Sequence, residues 1–196
     1  IPLLPIVKAA RELNQKLQRS DHVLYVYGGP AVTGGFQEAT QSDLQRLIPF
    51  VIGLIVLWLG IALKSIRGIF LAFSVVICTL LGAFSLLGWL QFPMTSMSGI
   101  LPQIVIAIGV ADAVHVLVVF RQGLDDGMES IEATRYTLLK NLQPTILTSI
   151  STSIGFFSFS TSSLKSLATL GVVAGLSVLL AWFFTYFVLG PLLVLS

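Results

Sequence analysis

The sequence predicts an all-α membrane bundle of five transmembrane helices preceded by the end of an α+β extracytoplasmic domain, and three observations lead there. The chain is 55% hydrophobic and 10% charged, with mean hydropathy +0.93, whereas an average soluble domain is roughly 25% charged. Its charged residues gather in the first 46 positions and between Arg121 and Lys140, leaving long intervals almost free of charge. Five of these intervals, about 47–64, 68–90, 99–120, 143–163 and 167–190, reach the roughly 20 apolar residues a helix needs to cross a hydrocarbon core of about 30 Å.

Residues 1–46 read as the C-terminal piece of the extracytoplasmic domain, and 47–196 as the transmembrane domain. Within 5–19, Ile6, Ala9, Ala10, Leu13 and Leu17 stand at helical spacing opposite Lys8, Arg11, Glu12 and Lys16, the pattern of a surface helix with one buried stripe. The run His22–Tyr27 is rich in β-formers and stops at Gly28, Gly29 and Pro30, which reads as a strand entering a turn. A helix followed by a strand implies an α+β fold. So short a piece buries too little surface to fold alone, and the chain opens IPLLPIVKAARELNQKL without an initiating methionine, so it is expected to be cut from something longer. Gln37–Arg46 is polar but helix-compatible and runs straight into the first span, which Pro49 perturbs.

Lys64, Ser65, Ile66 and Arg67 make a tight basic loop between the first two spans, and Arg121, Arg135 and Lys140 lie between the third and fourth. Short loops carrying Lys and Arg face the cytoplasm, so residues 1–46 are expected outside and the protein in the inner (plasma) membrane. The segment 124–142 has Asp125, Asp126, Glu129 and Glu132 in its first half and Arg135 and Lys140 in its second, an order that complements a helix dipole. Asp126 followed by Glu129 suits an N-terminal cap. Met128, Ile131, Leu138, Leu139 and Leu142 form one apolar stripe, fitting a helix on the inner membrane surface or a solvated helix packed on neighbouring loops.

The third span, IAIGVADAVHVLVVF over 106–120, is apolar apart from Asp112 and His115. An acid at the centre of a membrane helix costs about 2.5 to 3.5 kcal/mol on insertion scales. The i,i+3 spacing puts His115 beside Asp112, one turn nearer the cytoplasm, and burial and neighbouring charge can bring an intramembrane carboxyl into the range of cellular pH gradients. A proton crossing the membrane gains about 2.3 kcal/mol per 100 mV, enough to bias a two-state bundle. Asp112 and His115 are therefore the candidate proton relay. The bland alternatives are an Asp112 held by hydroxyls that never titrates, and a His115 that only orients it.

The fourth span crowds Thr145, Thr148, Ser149, Ser151, Thr152 and Ser153 into its first half. Thr145, Ser149, Thr152 and Ser153 fall on one side. Thr148, Ser149 and Thr152 are the candidate hydrogen-bond shell of the relay, although such residues also favour close helix packing. The fifth span carries Gly171-Val172-Val173-Ala174-Gly175, a GxxxG match that permits close backbone approach, and Gly109 is a further packing notch.

No catalytic residue is expected. An intramembrane aspartyl protease needs a second intramembrane acid, a zinc protease needs a His-Glu-x-x-His pair, and a nucleophile elbow needs a second glycine beyond Gly175-Leu176-Ser177; none is present. No metal or cofactor is implied. A net charge of +2 without a dense basic run does not suit nucleic acid. Cys78 is the only cysteine, so no disulfide forms within the chain.

Tyr27-Gly28-Gly29-Pro30-Ala31, the polar helix feeding the first span, Gly109-Val110-Ala111-Asp112-Ala113-Val114-His115 in the third, the amphipathic segment and Pro144-Thr145-Ile146-Leu147-Thr148-Ser149 opening the fourth together resemble the resistance-nodulation-division (RND) superfamily. The closest branch is the MMPL-type exporters, including hopanoid-transporter-like proteins, with a relationship to Patched-like sterol-sensing domains. The resemblance covers essentially the whole chain. It implies one half of a transporter, with the five spans as the second to sixth helices of a six-helix half. It also implies a proton-driven antiporter of hydrophobic or lipid-like substrates, Asp112 as proton site, and as partners the bilayer, protons, and the other half or further copies. Here Ala111 and Ala113 flank Asp112, where many superfamily exporters pair two acids. A sterol- or lipid-sensing module without transport, and a protein-export accessory subunit, are the alternatives the resemblance leaves open.

Overall fold

The computed structural model describes residues 3–18, 25–93 and 96–195, and its regular elements are all helical. They are α1 (Leu3–Leu17), α2 (Gly29–Leu63), α3 (Ile66–Trp89), α4 (Leu101–Asp125), α5 (Ser130–Phe157), α6 (Lys165–Phe184) and α7 (Gly190–Val194). Short 3-10 turns cover Ser96–Ile100 and Ser158–Thr161, and a π-helical turn, Thr185–Leu189, joins α6 to α7. The expected strand is not seen where it can be checked. His22, Val23 and Leu24 lie outside the described residues, and Tyr25–Tyr27 are exposed without regular structure.

The chain divides into two compact units, Ile1–Phe50 and Val51–Ser196. In the first, α1 meets the start of α2 through Val7, which is buried. A Cβ on Gly34 would stand 2.9 Å from a Val7 methyl, so only glycine allows this approach. Arg11 pairs with Glu38 one turn further on. These two contacts rotate α1 away from the expected stripe: Val7 turns inward, while Ile6, Leu13 and Leu17 are more than half exposed.

In the second unit α4 packs against α3, α5 and α6. Its Val110, Ala113, Val116, Leu117 and Phe120 join Val75 and Val76 of α3, Ala133 of α5, and Leu189 and Leu193 in one apolar core. A second core gathers Ala83 and Leu87 with Leu101, Val105, Leu170, Val173 and Ala174. The inward stripe of α3 runs Gly68, Ala72, Val75, Val76, Thr79, Ala83 and Leu87 at three- and four-residue steps. Mostly small or β-branched side chains there let neighbouring helices approach closely.

The connections are tight. Two residues, Lys64 and Ser65, separate α2 from α3, and the Ser65 hydroxyl accepts from the Gly68 N–H at 3.4 Å. After α4, Gly127 takes φ +87°, its N–H bonds the Leu124 carbonyl, and the Met128 N–H bonds that of Gly123, both at 3.0 Å. That is a Schellman ending, which needs a left-handed residue. Asp126 therefore closes α4 instead of opening the next helix, and Glu129 is the N-cap of α5 with no side-chain cap bond.

Among the described residues four helical stretches are long and apolar enough to cross a membrane: Gly29–Leu63, Ile66–Trp89, Met97–Asp125 and Lys165–Val194. The expected fourth span is not among them, because α5 ends at Phe157 and its apolar residues are diluted by Lys140, Asn141, Gln143 and the hydroxyls. It is also not separate from the amphipathic segment: both form the single helix α5, which passes through Pro144. Proline removes an intrahelical bond, but here the Asn141 amide bonds the Thr137 carbonyl at 2.9 Å and the Thr145 hydroxyl bonds that of Asn141 at 2.7 Å. Side-chain bonds to nearby carbonyls hold the turns around the proline together.

Candidate functional site

Helix α5 is built inside out. Its buried positions are Ala133, Thr134, Thr137, Asn141, Thr145, Ser149 and Ser153, while Ile131, Leu139, Leu147, Ile150 and Ile154 are exposed. In water that arrangement would discard hydrophobic stabilisation; in lipid it places apolar side chains against the hydrocarbon and polar ones against protein. The polar face meets α4 and α6.

Asp112 lies on the buried side of α4, 7% exposed, and its Oδ2 has no hydrogen-bond partner among the described residues. An unsatisfied buried polar atom costs about 1 to 3 kcal/mol, more when charged. His115 is exposed. Three residues advance a helix by about 300°, and the 60° shortfall carries His115 over the edge of the packed face. The expected pair is thus split between the interior and the outer surface of α4, with no hydrogen bond between the two side chains.

Of the expected hydroxyl shell, Ser149 is buried, whereas Thr148 and Thr152 are exposed. Thr148 bonds carbonyls of its own helix, those of Pro144 at 3.1 Å and Thr145 at 2.9 Å. The inward row is Thr145, Ser149 and Ser153, spaced by four. Ser153 donates to the Gly175 carbonyl of α6 at 2.8 Å. The expected packing glycines sit in that seam: a Cβ on Gly171 would lie 2.6 Å from the Phe156 carbonyl oxygen, and one on Gly175 would lie 2.7 Å from the Phe157 ring. Gly109 is looser, with Val76 at 3.4 Å from the position of a Cβ.

Sequence reasoning missed Tyr186 and Trp182. The Tyr186 hydroxyl lies 2.8 Å from that of Thr145, the Trp182 indole N–H donates to the same oxygen at 3.3 Å, and the two rings are 5.1 Å apart. The one signal in the sequence is Thr185-Tyr186 interrupting an apolar run. Beside this cluster an apolar crevice of about 450 Å³ is lined by Leu86, Ile146, Ser149, Leu180, Trp182 and Phe183, among others. Among the described residues no three His, Cys, Asp or Glu side chains form a group able to hold a metal ion.

The model of the MMPL family matches residues 5–196. This chain belongs to the MMPL family. Comparison with curated proteins and with solved structures gives no match. MMPL membership and four membrane-length apolar helices together support an RND-type membrane transporter module and a multi-pass membrane protein in contact with the bilayer. The MMPL family are transporters, which accords with the expectation that the chain is not an enzyme.

Proposed function

We infer that this chain is part of a proton-motive-force-driven exporter of hydrophobic or lipid-like molecules, working by proton antiport, with Asp112 as the proton site. The observation that carries the reading is a carboxyl buried in a membrane-length helix, with one oxygen left without a partner among the described residues. Such a group is costly to keep and changes its demands on its neighbours with each proton gained or lost. His115, one turn away at the exposed edge, assists by linking the site to the surface of α4, where the other half of the transporter is expected. Ser149 and the inward hydroxyls of α5 form the polar shell.

On this reading α5 is the fifth span, its outward Leu147, Ile150 and Ile154 meeting lipid. Residues 1–46 end an α+β extracytoplasmic domain whose remaining surface covers the exposed Ile6, Leu13 and Leu17 of α1, and the protein lies in the inner membrane. The crevice beside Trp182 is apolar enough for a lipid-like chain, and it also favours a second reading, a lipid-sensing module in which Asp112 stays fixed.

Carbodiimide labelling of Asp112 against pH, in membranes holding the full-length protein with Asp112→Asn as control, separates the two. A proton site loses labelling with a midpoint between about pH 6 and 8, within the shifts burial can cause. Labelling absent or unchanged with pH would leave the sensing module as the better account.

A further inference from the structure

Arg67 and Arg121 stand where apolar runs meet polar chain. Arg67 lies in the first turn of α3, and Arg121 follows Phe120 at the end of the apolar stretch of α4. Packing brings these two helix ends together: both arginines line one cavity of about 170 Å³, with Ser65, Leu117, Phe120 and Leu193 among its other walls. The apolar walls are fixed, because Leu117, Phe120 and Leu193 are buried and the Ser130 hydroxyl of α5 donates to the Leu193 carbonyl at 3.0 Å. Arg67 and Leu71 also line a second, more open hollow of about 450 Å³, walled by Phe70, Leu192 and Leu195. Phe70 and Leu195 are 73% and 84% exposed. A cationic chamber thus continues, through Arg67 and Leu71, into an apolar one.

We propose that the two hollows form a site for one anionic phospholipid of the bilayer, its phosphate held between Arg67 and Arg121 and an acyl chain lying along Phe70, Leu71, Leu192 and Leu195. Among the described residues no acidic side chain lines either hollow. Arg121 pairs with Asp125 one turn on, through Nε at 3.2 Å. A guanidinium carries five N–H donors, so that pair leaves its terminal donors for an anion. Guanidinium forks match phosphate oxygens bidentately, and basic pockets between membrane helices on the cytoplasmic side hold lipid head groups. The apolar hollow selects a lipid over free phosphate, which would gain nothing from Phe70 and Leu195.

The site stands apart from the crevice beside Trp182, with which it shares no lining residue. Its occupant is a resident lipid and not cargo. It bridges α3 through Arg67, α4 through Arg121 and the end of the chain through Leu192 and Leu195, so it braces the packing of these elements at one membrane face. The inference does not depend on the proton-site reading of Asp112, and holds for an exporter and a sensing module alike.

Native mass spectrometry of the full-length protein, titrated in micelles with dioleoyl phosphatidylglycerol or dioleoyl phosphatidylcholine, tests the site. The unmodified protein should hold the anionic lipid about 25-fold more tightly, and Arg67→Gln and Arg121→Gln should each lower that preference about fivefold, the scale of one basic residue near a membrane surface. Arg67→Lys keeps the charge without the fork and should retain part of the preference. Lys165→Gln removes an equal charge at a residue that lines neither hollow and should leave the preference unchanged. Each variant is read as a ratio of two lipids, so a general loss of binding does not imitate the result, and the exposed Arg121 offers a substitution that leaves the packed helices untouched. A preference that survives both arginine variants, or that falls as far with Lys165→Gln, would overturn the site. Displacement of the anionic lipid by inorganic phosphate at equal concentration would overturn it too, marking an anion site with no use for an acyl chain.

Discussion

Toward Phe157, the seam between α5 and α6 is made of backbone and rings. Gly171 and Gly175 leave no room for a Cβ, and the Ser153 hydroxyl is spent on the Gly175 carbonyl. Toward Tyr186 the same two helices meet through Thr145, Tyr186 and Trp182, polar tips whose bonds can be exchanged by rotation about single bonds. The glycine end has one arrangement, because moving it means moving main chain against main chain. The hydroxyl end has two, because a phenol proton can point either way. A bundle with one fixed and one exchangeable joint can pivot without coming apart.

Substitutions in the two joints should separate them, beginning with the largest effect. Gly171→Leu places side-chain atoms against the Phe156 carbonyl, which cannot move aside, and overpacking of this kind costs about 3 kcal/mol; SDS unfolding in micelles should show a clear loss of stability. Thr145→Val removes the acceptor of two interhelical bonds, at about 0.6 kcal/mol each, so it should cost about 1 kcal/mol in the same assay. Ser153→Ala removes one such bond and should cost about 0.6 kcal/mol. His115→Ala, at an exposed position, should stay within about 0.5 kcal/mol. Were Ser153→Ala to outweigh Gly171→Leu, the glycine end would be held by its hydrogen bond and not by close packing.

Much of this was legible from the sequence. Charge-free intervals located the apolar helices, because burying charge in lipid is so costly that its absence marks the spans. The GxxxG pair marked a close contact, since a missing Cβ is visible in the letters. The rotation of each helix was less legible. Thr148 and Thr152 looked as suitable as Thr145, Ser149 and Ser153, and only the fit of α5 against α4 and α6 chose between the two rows. His115 looked paired with Asp112 until the packed edge of α4 fell between them. Tyr186 was out of reach because its partner Thr145 is 41 residues away and its aim depends on a π-helical turn that no local motif announces. Pro144 suggested a boundary, but the polar side chains around it let the helix continue.

The central claim is that the hydroxyl end of the seam is exchangeable and the glycine end fixed. Amide hydrogen exchange on the full-length protein in lipid nanodiscs, corrected for intrinsic exchange, reads both ends at once. The account predicts weaker protection of Thr185–Leu189 than of Gly171–Gly175. Equal protection in the two segments, or weaker protection at the glycines, would contradict it.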